Sequence, residues 1–301
     1  MNQTVEQLLK HLRASQPLNR IVTAATRNLL NSCGFKSELI VKHLHRLGSV
    51  QCNLPNGHVL LLESDGNDWI PNQLFWKGWA GYEPETLPLF FRLASTARVT
   101  LDIGAYIGLF ALLAGYANSE GHVYAFEPLL NLYARVKRHV DLNSLRNVHC
   151  LNIALADFNG TTEIFHQPGN TCTASLSLEF MQWQPGWRSS VVTVATADQF
   201  VQEEKLMHVD LVKIDTESTE PQVLTGMLST LERDHPNIIC EVLPTFGVEK
   251  ALIDILRPHG YYFYQLTDKG LIWRDSIEGS LEFKNYLFST ISPERISQIW
   301  R

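Results

Sequence analysis

Several features that mark other classes of protein are missing from this chain of 301 residues. No stretch of 18 or more apolar residues occurs, and the N-terminus lacks an apolar signal segment, so we expect neither a membrane span nor secretion. The cysteines are few, odd in number and never spaced as Cys-x-x-Cys, which predicts reduced thiols in a cytoplasmic protein without a zinc site. They are Cys33, Cys52, Cys150, Cys172 and Cys240.

Positive charge is also scarce. The chain carries 25 lysine and arginine residues against 31 aspartate and glutamate residues, a net charge of −6. This balance argues against a general nucleic-acid-binding protein, although it permits a local basic patch. Hydrophobic residues make up 45% of the chain and charged residues 19%, so a sizeable core can form and global disorder is not expected.

The most informative stretch is Val99–Gly108, which reads V-T-L-D-I-G-A-Y-I-G. An apolar strand leads through two glycines into a helical run at Leu109, which predicts a strand, a tight turn and a helix N-terminus with unpaired N–H groups. The glycine spacing is neither the dinucleotide-binding Gly-x-Gly-x-x-Gly nor a P-loop. Asp102 would repel a phosphate, but it suits the cationic amino group of S-adenosylmethionine (SAM), which has no phosphate.

Strands and helices alternate from residue 98 onwards. This pattern predicts an α/β fold of the Rossmann-like kind, a mostly parallel sheet with helices on both faces and an antiparallel pair at one edge. Residues 160–194 interrupt the alternation with an expected hairpin and loop. The first 80 residues show amphipathic helical segments and a hairpin. We therefore predict an N-terminal extension over residues 1–80, serving as a cap, lid or dimerisation element, and a main domain over residues 81–301.

Four acidic residues end or follow predicted strands, where open α/β sheets bind their ligands. They are Asp102, Glu127, Asp215 and Glu241. Because charged residues avoid burial, this placement indicates a binding site at the carboxyl edge of the sheet. Glu127 can accept hydrogen bonds from both hydroxyls of a ribose there. The alternative is that Glu127 caps the helix that follows it.

Several of these motifs resemble those of the FkbM-type SAM-dependent methyltransferases. The likeness covers about residues 98–245. It rests on D-I-G-A-Y-I-G at 102–108, F-E-P at 126–128, Asn131, Asn143, V-K-I-D-T-E-S-T-E at 212–220 and V-L-T-G at 223–226. The chain departs from the family pattern at Tyr106, where asparagine is usual, and at Ser218, where glycine is usual.

The resemblance implies a class I methyltransferase fold with seven strands, and O-methylation of a hydroxyl on a sugar or a polyketide-like natural product. It assigns the ribose of SAM to Glu127, the adenine to residues around Ala154, and the methionine part to the glycine turn. The turn residues concerned are Asp102, Gly104, Ala105 and Gly108.

Methyl transfer to an alcohol needs a group that removes the hydroxyl proton, or a metal that acidifies it. The candidate bases are Asp215, Glu241, Glu217 and His166. We rank Asp215 first because it ends a strand beside the expected methyl position. Asp215 and Glu241 could also bind Mg²⁺, but the sequence identifies no third ligand. Glu220 is better explained as a favourable charge at the start of a helix.

Two other functions stay open. An NAD-dependent oxidoreductase or epimerase would need a glycine-rich pyrophosphate turn, which the sequence lacks. A catalytically degenerate domain that binds a partner protein is compatible with the departures at Tyr106 and Ser218. For the methyltransferase we expect a small-molecule or glycan acceptor, no nucleic-acid partner, and a homodimer as one use of the N-terminal extension.

Overall fold

A computed structural model describes residues 15–33, 38–167, 170–182, 186–244 and 247–299. The chain divides into two compact units, residues 1–84 and 85–301. Four of the cysteines are free thiols: Cys33, Cys52, Cys150 and Cys240. Among the described residues, no helix is long and apolar enough to cross a membrane.

Within its described residues, the first unit contains three α-helices and a hairpin. The helices are α1 (Gln16–Cys33), α2 (Glu38–His43) and α3 (Trp69–Lys77), and the antiparallel hairpin is β1 (Gly48–Asn53) and β2 (Val59–Ser64). The side of α1 that is buried is polar, because Asn19 and Thr23 bond to the segment before β1: Asn19 Nδ2 donates to the His45 carbonyl, and Arg46 Nη1 donates to Thr23 Oγ1. The sequence also predicts an amphipathic helix with an apolar stripe from Val5 to Leu12, which lies outside the described residues.

The second unit is built on a large sheet with the strand order β13-β12-β14-β11-β10-β3-β4-β5. Its strands are β3 (Val99–Ile103), β4 (His122–Phe126), β5 (Val148–Leu151), β10 (Leu211–Ile214), β11 (Asn237–Glu241), β12 (Tyr262–Thr267), β13 (Gly270–Arg274) and β14 (Asn285–Ser289). The strands from β11 to β5 pair in parallel, and β12, β13 and β14 pair antiparallel at one edge. The predicted Rossmann-like α/β fold is confirmed. The eight strands are one more than the resemblance implies.

Helices separate most of these strands. They are α4 (Leu87–Ala94), α5 (Leu109–Ala117), α6 (Leu130–Leu142), α7 (Leu178–Met181), α8 (Ala197–Glu203), α9 (Glu220–Thr225), α10 (Leu228–Asp234), α11 (Val248–Leu256) and α12 (Pro293–Ile299). The central strands β3 and β10 are buried along their whole length, and they are mostly apolar, with Thr100, Asp102 and Lys213 as the exceptions. Their side chains join the main hydrophobic core with those of the helices α8 to α11.

The chain reverses its direction of travel across the sheet between β3 and β10. From β3 the strands proceed through β4 to β5 on one side, whereas β10 and β11 lie on the other. Open α/β sheets bind ligands outside the carboxyl ends of the strands at such a switch point. A ligand-binding site is therefore expected at the carboxyl ends of β3 and β10.

The irregular segment after β5 forms a second sheet of four strands in the order β6-β9-β7-β8. These strands are β6 (Ala154–Leu155), β7 (Gly160–Gln167), β8 (Asn170–Ser175) and β9 (Arg188–Ala195). The sequence predicts a hairpin and a loop here. The pairing of β9 with both β6 and β7 links the segment to the end of β5, which turn chemistry alone does not reveal.

Candidate active site

The glycine turn begins at Asp102, which is the fourth residue of β3 and is only 1% exposed. Its Oδ2 accepts a hydrogen bond of 2.8 Å from the backbone N–H of Ala111 in the first turn of α5. Burial raises the pKa of Asp102 to about 7, against the opposing influence of Lys213 and of the Ala111 N–H. Asp102 thus fastens the strand to the helix that follows it.

The turn itself is shaped by backbone contacts. Gly104 and Gly108 both have left-handed backbone angles, with φ of +83° and +85°. The N–H groups of Gly104 and Ala105 both donate to the Phe126 carbonyl at the end of β4, at 3.1 and 3.0 Å. A side chain at Gly108 would stand 2.9 Å from Val136 Cγ1. The glycines therefore allow close packing within the fold, in addition to any approach by a ligand.

Glu127 follows β4 and is 5% exposed. Its Oε2 accepts from the N–H of Tyr106, and its Oε1 accepts from the N–H of Leu129, both at 2.9 Å. Burial raises the pKa of Glu127 to about 8, although these two N–H groups act in the opposite direction. The Asn152 side chain donates to the carbonyls of Glu127 and Pro128 and so holds the turn in place.

Three acidic side chains meet beyond β10 and β11. Asp215, Glu217 and Glu241 each offer a carboxylate oxygen, and these oxygens all lie within 4.8 Å of one another. We call these three residues the carboxylate cluster. Burial and the charge of Glu241 raise the pKa of Glu217 well above its ordinary value. The cluster unites three of the four bases predicted from sequence, and Glu217 offers a third carboxylate oxygen beside those of Asp215 and Glu241.

Two lysines accompany the carboxylate cluster. Lys213 Nζ is 3.2 Å from Asp215 Oδ2, and Lys284 Nζ is 3.4 Å from Glu241 Oε1. Burial lowers the pKa of Lys284, but the neighbouring Glu241 carboxylate raises it, and the net change is upward. The sequence analysis missed both lysines. A lysine inside the apolar strand β10 was the signal for Lys213, whereas only the fold brings Lys284 to Glu241.

The loop from Asp215 to Thr219 is held by Glu220, which is 1% exposed. Glu220 Oε1 accepts from Thr216 N, Thr216 Oγ1 and Ser218 N at 3.1 to 3.2 Å. Burial raises the pKa of Glu220 to about 7. Glu220 therefore acts as an anchor for the loop, which is a more specific role than a favourable charge at the helix N-terminus.

The two departures from the family pattern both occur at left-handed positions. Tyr106 has φ of +54° and Ser218 has φ of +78°. Asparagine and glycine tolerate this region better than other residues, so the usual family residues suit the backbone observed here. Tyr106 packs against a small apolar cluster that includes Leu129, Ile164 and Val194.

The second sheet also contacts the loop that carries the carboxylate cluster. Ser175 at the end of β8 is 1% exposed, and its Oγ donates to the Glu217 carbonyl at 2.6 Å. Ala154 is buried in β6, where it pairs with Val194 and joins a small apolar cluster. His166 lies on β7 with its Nε2 3.0 Å from Ser190 Oγ on β9, and it is not a member of the carboxylate cluster.

Glu127 keeps hydrogen-bonding capacity beyond its two backbone contacts. A carboxylate oxygen can accept two hydrogen bonds, and each oxygen of Glu127 already accepts one from the backbone. Each therefore has capacity for one ribose hydroxyl. Asp102 supplies a negative charge one strand away, at the same edge of the sheet.

Comparison with known proteins identifies a family and several similar chains. A family model described as the methyltransferase FkbM domain matches residues 102–263. The chain is also similar to the AMB antimetabolite synthetase AmbE of Pseudomonas aeruginosa, with 25% identity over 254 residues. This match covers 70% of the chain but only 11% of the synthetase, so the chain spans about a ninth of that relative.

Solved structures of methyltransferases are similar at low sequence identity. The methyltransferase FkbM from Methylobacillus flagellatus is 13% identical, with a TM-score of 0.41 over 76% of this chain and 56% of that one. A SAM-dependent methyltransferase from Agrobacterium tumefaciens is 12% identical, with a TM-score of 0.43 over 81% and 71%. The O-methyltransferase TomG from Streptomyces achromogenes, solved with SAM, is 10% identical, with a TM-score of 0.39 over 68% and 80%.

Proposed function

The chain belongs to the FkbM methyltransferase family, and on that premise we propose that it transfers the methyl group of SAM to a hydroxyl of a sugar or a small natural product. One observation carries the proposal. The carboxylate cluster lies just beyond β10, next to the turn after β3 that carries Asp102. Groups suited to the cofactor and groups suited to an acceptor hydroxyl therefore share one edge of the sheet. The similarity to an antimetabolite synthetase is in keeping with a natural-product acceptor.

The cofactor would be held by two buried carboxylates. Glu127 accepts the two ribose hydroxyls, one on each oxygen, while its backbone bonds keep the carboxylate oriented. Asp102 would bind the cationic amino group of the methionine part. The Ala111 N–H donates only one hydrogen bond to Asp102, which does not neutralise the carboxylate. SAM supplies a methyl group already activated on a sulfonium, so the chain needs only to align the acceptor oxygen and exclude water.

Glu217 is our preferred proton acceptor, ahead of Asp215. The Asp215 carboxylate is already engaged in an ion pair with Lys213, so it is less available to an acceptor hydroxyl. Glu217 has a raised pKa, and a base with a pKa closer to the working pH takes a proton more effectively. The acceptor oxygen would bond to the methyl carbon as the methyl–sulfur bond of SAM breaks, with the electron pair left on sulfur, and the hydroxyl proton would pass to a Glu217 oxygen. The demethylated cofactor, S-adenosylhomocysteine (SAH), is the second product.

Calorimetric titration of the chain with SAM and with SAH tests the cofactor assignment. We expect binding of both, and absence of binding at millimolar ligand would instead favour a degenerate domain that binds a partner protein. The acceptor is then sought by incubation with labelled SAM and a panel of hydroxylated sugars and macrolide-like compounds, followed by mass spectrometry.

With the acceptor found, Glu217→Gln should slow methyl transfer at least tenfold while SAH still binds. Glu232→Gln, at an exposed position of α10, is the matched control.

A further inference from the structure

Lys213 is an unusual residue in this fold because its side chain is 0% exposed. It lies in β10 between Val212 and Ile214, both of which belong to the hydrophobic core. Lysine is almost never fully buried unless its charge is compensated, because an ammonium group loses its hydration there. The sequence motif alone does not say what compensates it.

Three contacts surround the ammonium group. Lys213 Nζ lies 3.2 Å from Asp215 Oδ2, donates to the Ile214 carbonyl at 3.3 Å, and sits 5.0 Å from the centre of the Phe110 ring. A lysine near the face of an aromatic ring gains a further electrostatic attraction. Phe110 precedes Ala111, the residue whose N–H bonds to Asp102. The ammonium therefore lies among the elements that hold both predicted functional carboxylates.

The strand register completes this relationship. Lys213 and Asp102 are direct partners in the parallel pairing of β10 with β3. Residues paired in register on neighbouring strands project from the same face of a sheet. Lys213 is also the strongest charged influence on Asp102, and it lowers the pKa that burial raises.

We infer that Lys213 is a positioning residue whose ammonium serves as a counter-ion shared by Asp102 and Asp215, keeping Asp102 ionised so that it can bind the amino group of SAM. This inference rests on the proposed function. It also explains why a charge is kept in the middle of the sheet, where an apolar residue would pack without the loss of hydration.

The pH dependence of this arrangement involves several groups. The titratable side chains that influence Asp102 or are influenced by it are Lys213, Asp215, Glu127 and Cys150. Those that surround Asp215 are Lys213, Glu217, Glu220, Cys240 and Lys284. Removal of the Lys213 charge leaves carboxylates as the dominant neighbours of Asp102. Asp102 should then bind its proton more tightly and lose its charge at neutral pH.

The test compares two ligands over pH 6 to 9 with the wild-type chain and with Lys213→Met. SAH carries the amino-acid part, whereas 5′-methylthioadenosine lacks it. We expect Lys213→Met to bind SAH more weakly than wild type by about fivefold at pH 7 and nearly tenfold at pH 6, the effect of raising the Asp102 pKa by about one unit, with the difference shrinking toward pH 9. Binding of methylthioadenosine should be unchanged at every pH. Lys137→Met, at an exposed position of α6, should behave as wild type with both ligands.

Equal weakening of both ligands, or no weakening of SAH, overturns the inference, because the first indicates a merely structural role and the second no role. Failure of the wild-type chain to bind SAH overturns the proposed function and this inference with it. If Lys213→Met does not fold, the double variant Lys213→Met/Asp215→Asn removes both members of the ion pair and leaves Asp102 in place. At neutral pH the double variant should bind SAH more weakly than wild type and methylthioadenosine equally well. If its SAH binding is not weakened, the inference is overturned.

Discussion

The carbonyl oxygen of Asp215 lies 2.0 Å from the position that a Cβ atom on Gly104 would occupy. The backbone after β10 therefore touches the backbone of the turn after β3. The Asp215 N–H also donates to the Ile103 carbonyl at 3.0 Å, which continues the strand pairing up to this contact. The spacing between the turn assigned to the cofactor and the carboxylate cluster is thus set by main-chain packing.

The variant Gly104→Ala should disturb that packing. A methyl group there clashes with the Asp215 carbonyl, and the left-handed φ of +83° strains any side chain. We expect the free energy of unfolding to fall by roughly 2–5 kcal/mol, as strain and overpacking add. Urea unfolding measures the loss. Gly260→Ala is the control, because φ is +79° but no atom lies within 4 Å of the new methyl group. Equal losses in the two variants would show that the backbone contact contributes nothing.

Ser218→Gly should stabilise the chain. Ser218 has φ of +78°, and its Oγ is buried with no hydrogen-bond partner among the described residues. Glycine removes both the conformational strain and the unsatisfied hydroxyl, so we expect a gain of about 1–2 kcal/mol in the free energy of unfolding. Ser280→Gly is the contrasting control. Its Oγ accepts from Glu282 N and Phe283 N, so that variant should lose stability.

The stability of the ligand-free chain should fall as pH rises from 5 to 8.5. Burial raises the pKa values of Asp102, Glu127 and Glu220 to about 7, 8 and 7, so the folded chain binds more protons than the unfolded chain in this range. Stability is fully present below the unfolded pKa values near 4 and is lost as pH rises through the folded values. The limiting slope is about 1.4 kcal/mol per pH unit for each group.

Urea unfolding at several pH values measures this slope, and Asp102→Asn should reduce it. Asp234 does not contribute to the slope between pH 5 and 8.5. Its pKa is lowered, so its contribution changes below pH 4. A stability that rises steadily between pH 5 and 8.5 would contradict the burial of these three carboxyl groups.

Glu127→Gln should weaken SAH binding about 10- to 100-fold, the range expected when hydrogen bonds to a charged group are lost. With a pKa of about 8, Glu127 holds a proton at pH 7 in the ligand-free chain. Two ribose hydroxyls favour the ionised carboxylate, so binding should release roughly one proton from Glu127. Calorimetry in buffers of different ionisation enthalpy detects that release. Glu127→Gln should release fewer protons than wild type, whereas Glu232→Gln should match it.

Chelation of divalent metal ions should leave SAH binding unchanged. Lys213 and Lys284 form ion pairs with Asp215 and Glu241, which offsets most of the negative charge of the carboxylate cluster. The carboxylate cluster therefore has little excess negative charge for Mg²⁺. Melting curves with EDTA and with millimolar Mg²⁺ should coincide. A rise in melting temperature with Mg²⁺, lost in Glu217→Gln, would instead make the three carboxylates its ligands.

The sequence by itself determined the fold class and the edge of the sheet at which to look. The reason is local: apolar strand runs, the glycine turn and acids at strand ends are set by neighbouring residues, and parallel strands place their carboxyl ends together. Only the tertiary structure decided how those acids are charged. Burial raises the pKa values of Asp102 and Glu127, and Lys284 reaches Glu241 through the pairing of β14 with β11. Lys284 lies 43 residues after Glu241 in the sequence, so no local sequence pattern can predict that the two side chains are close together.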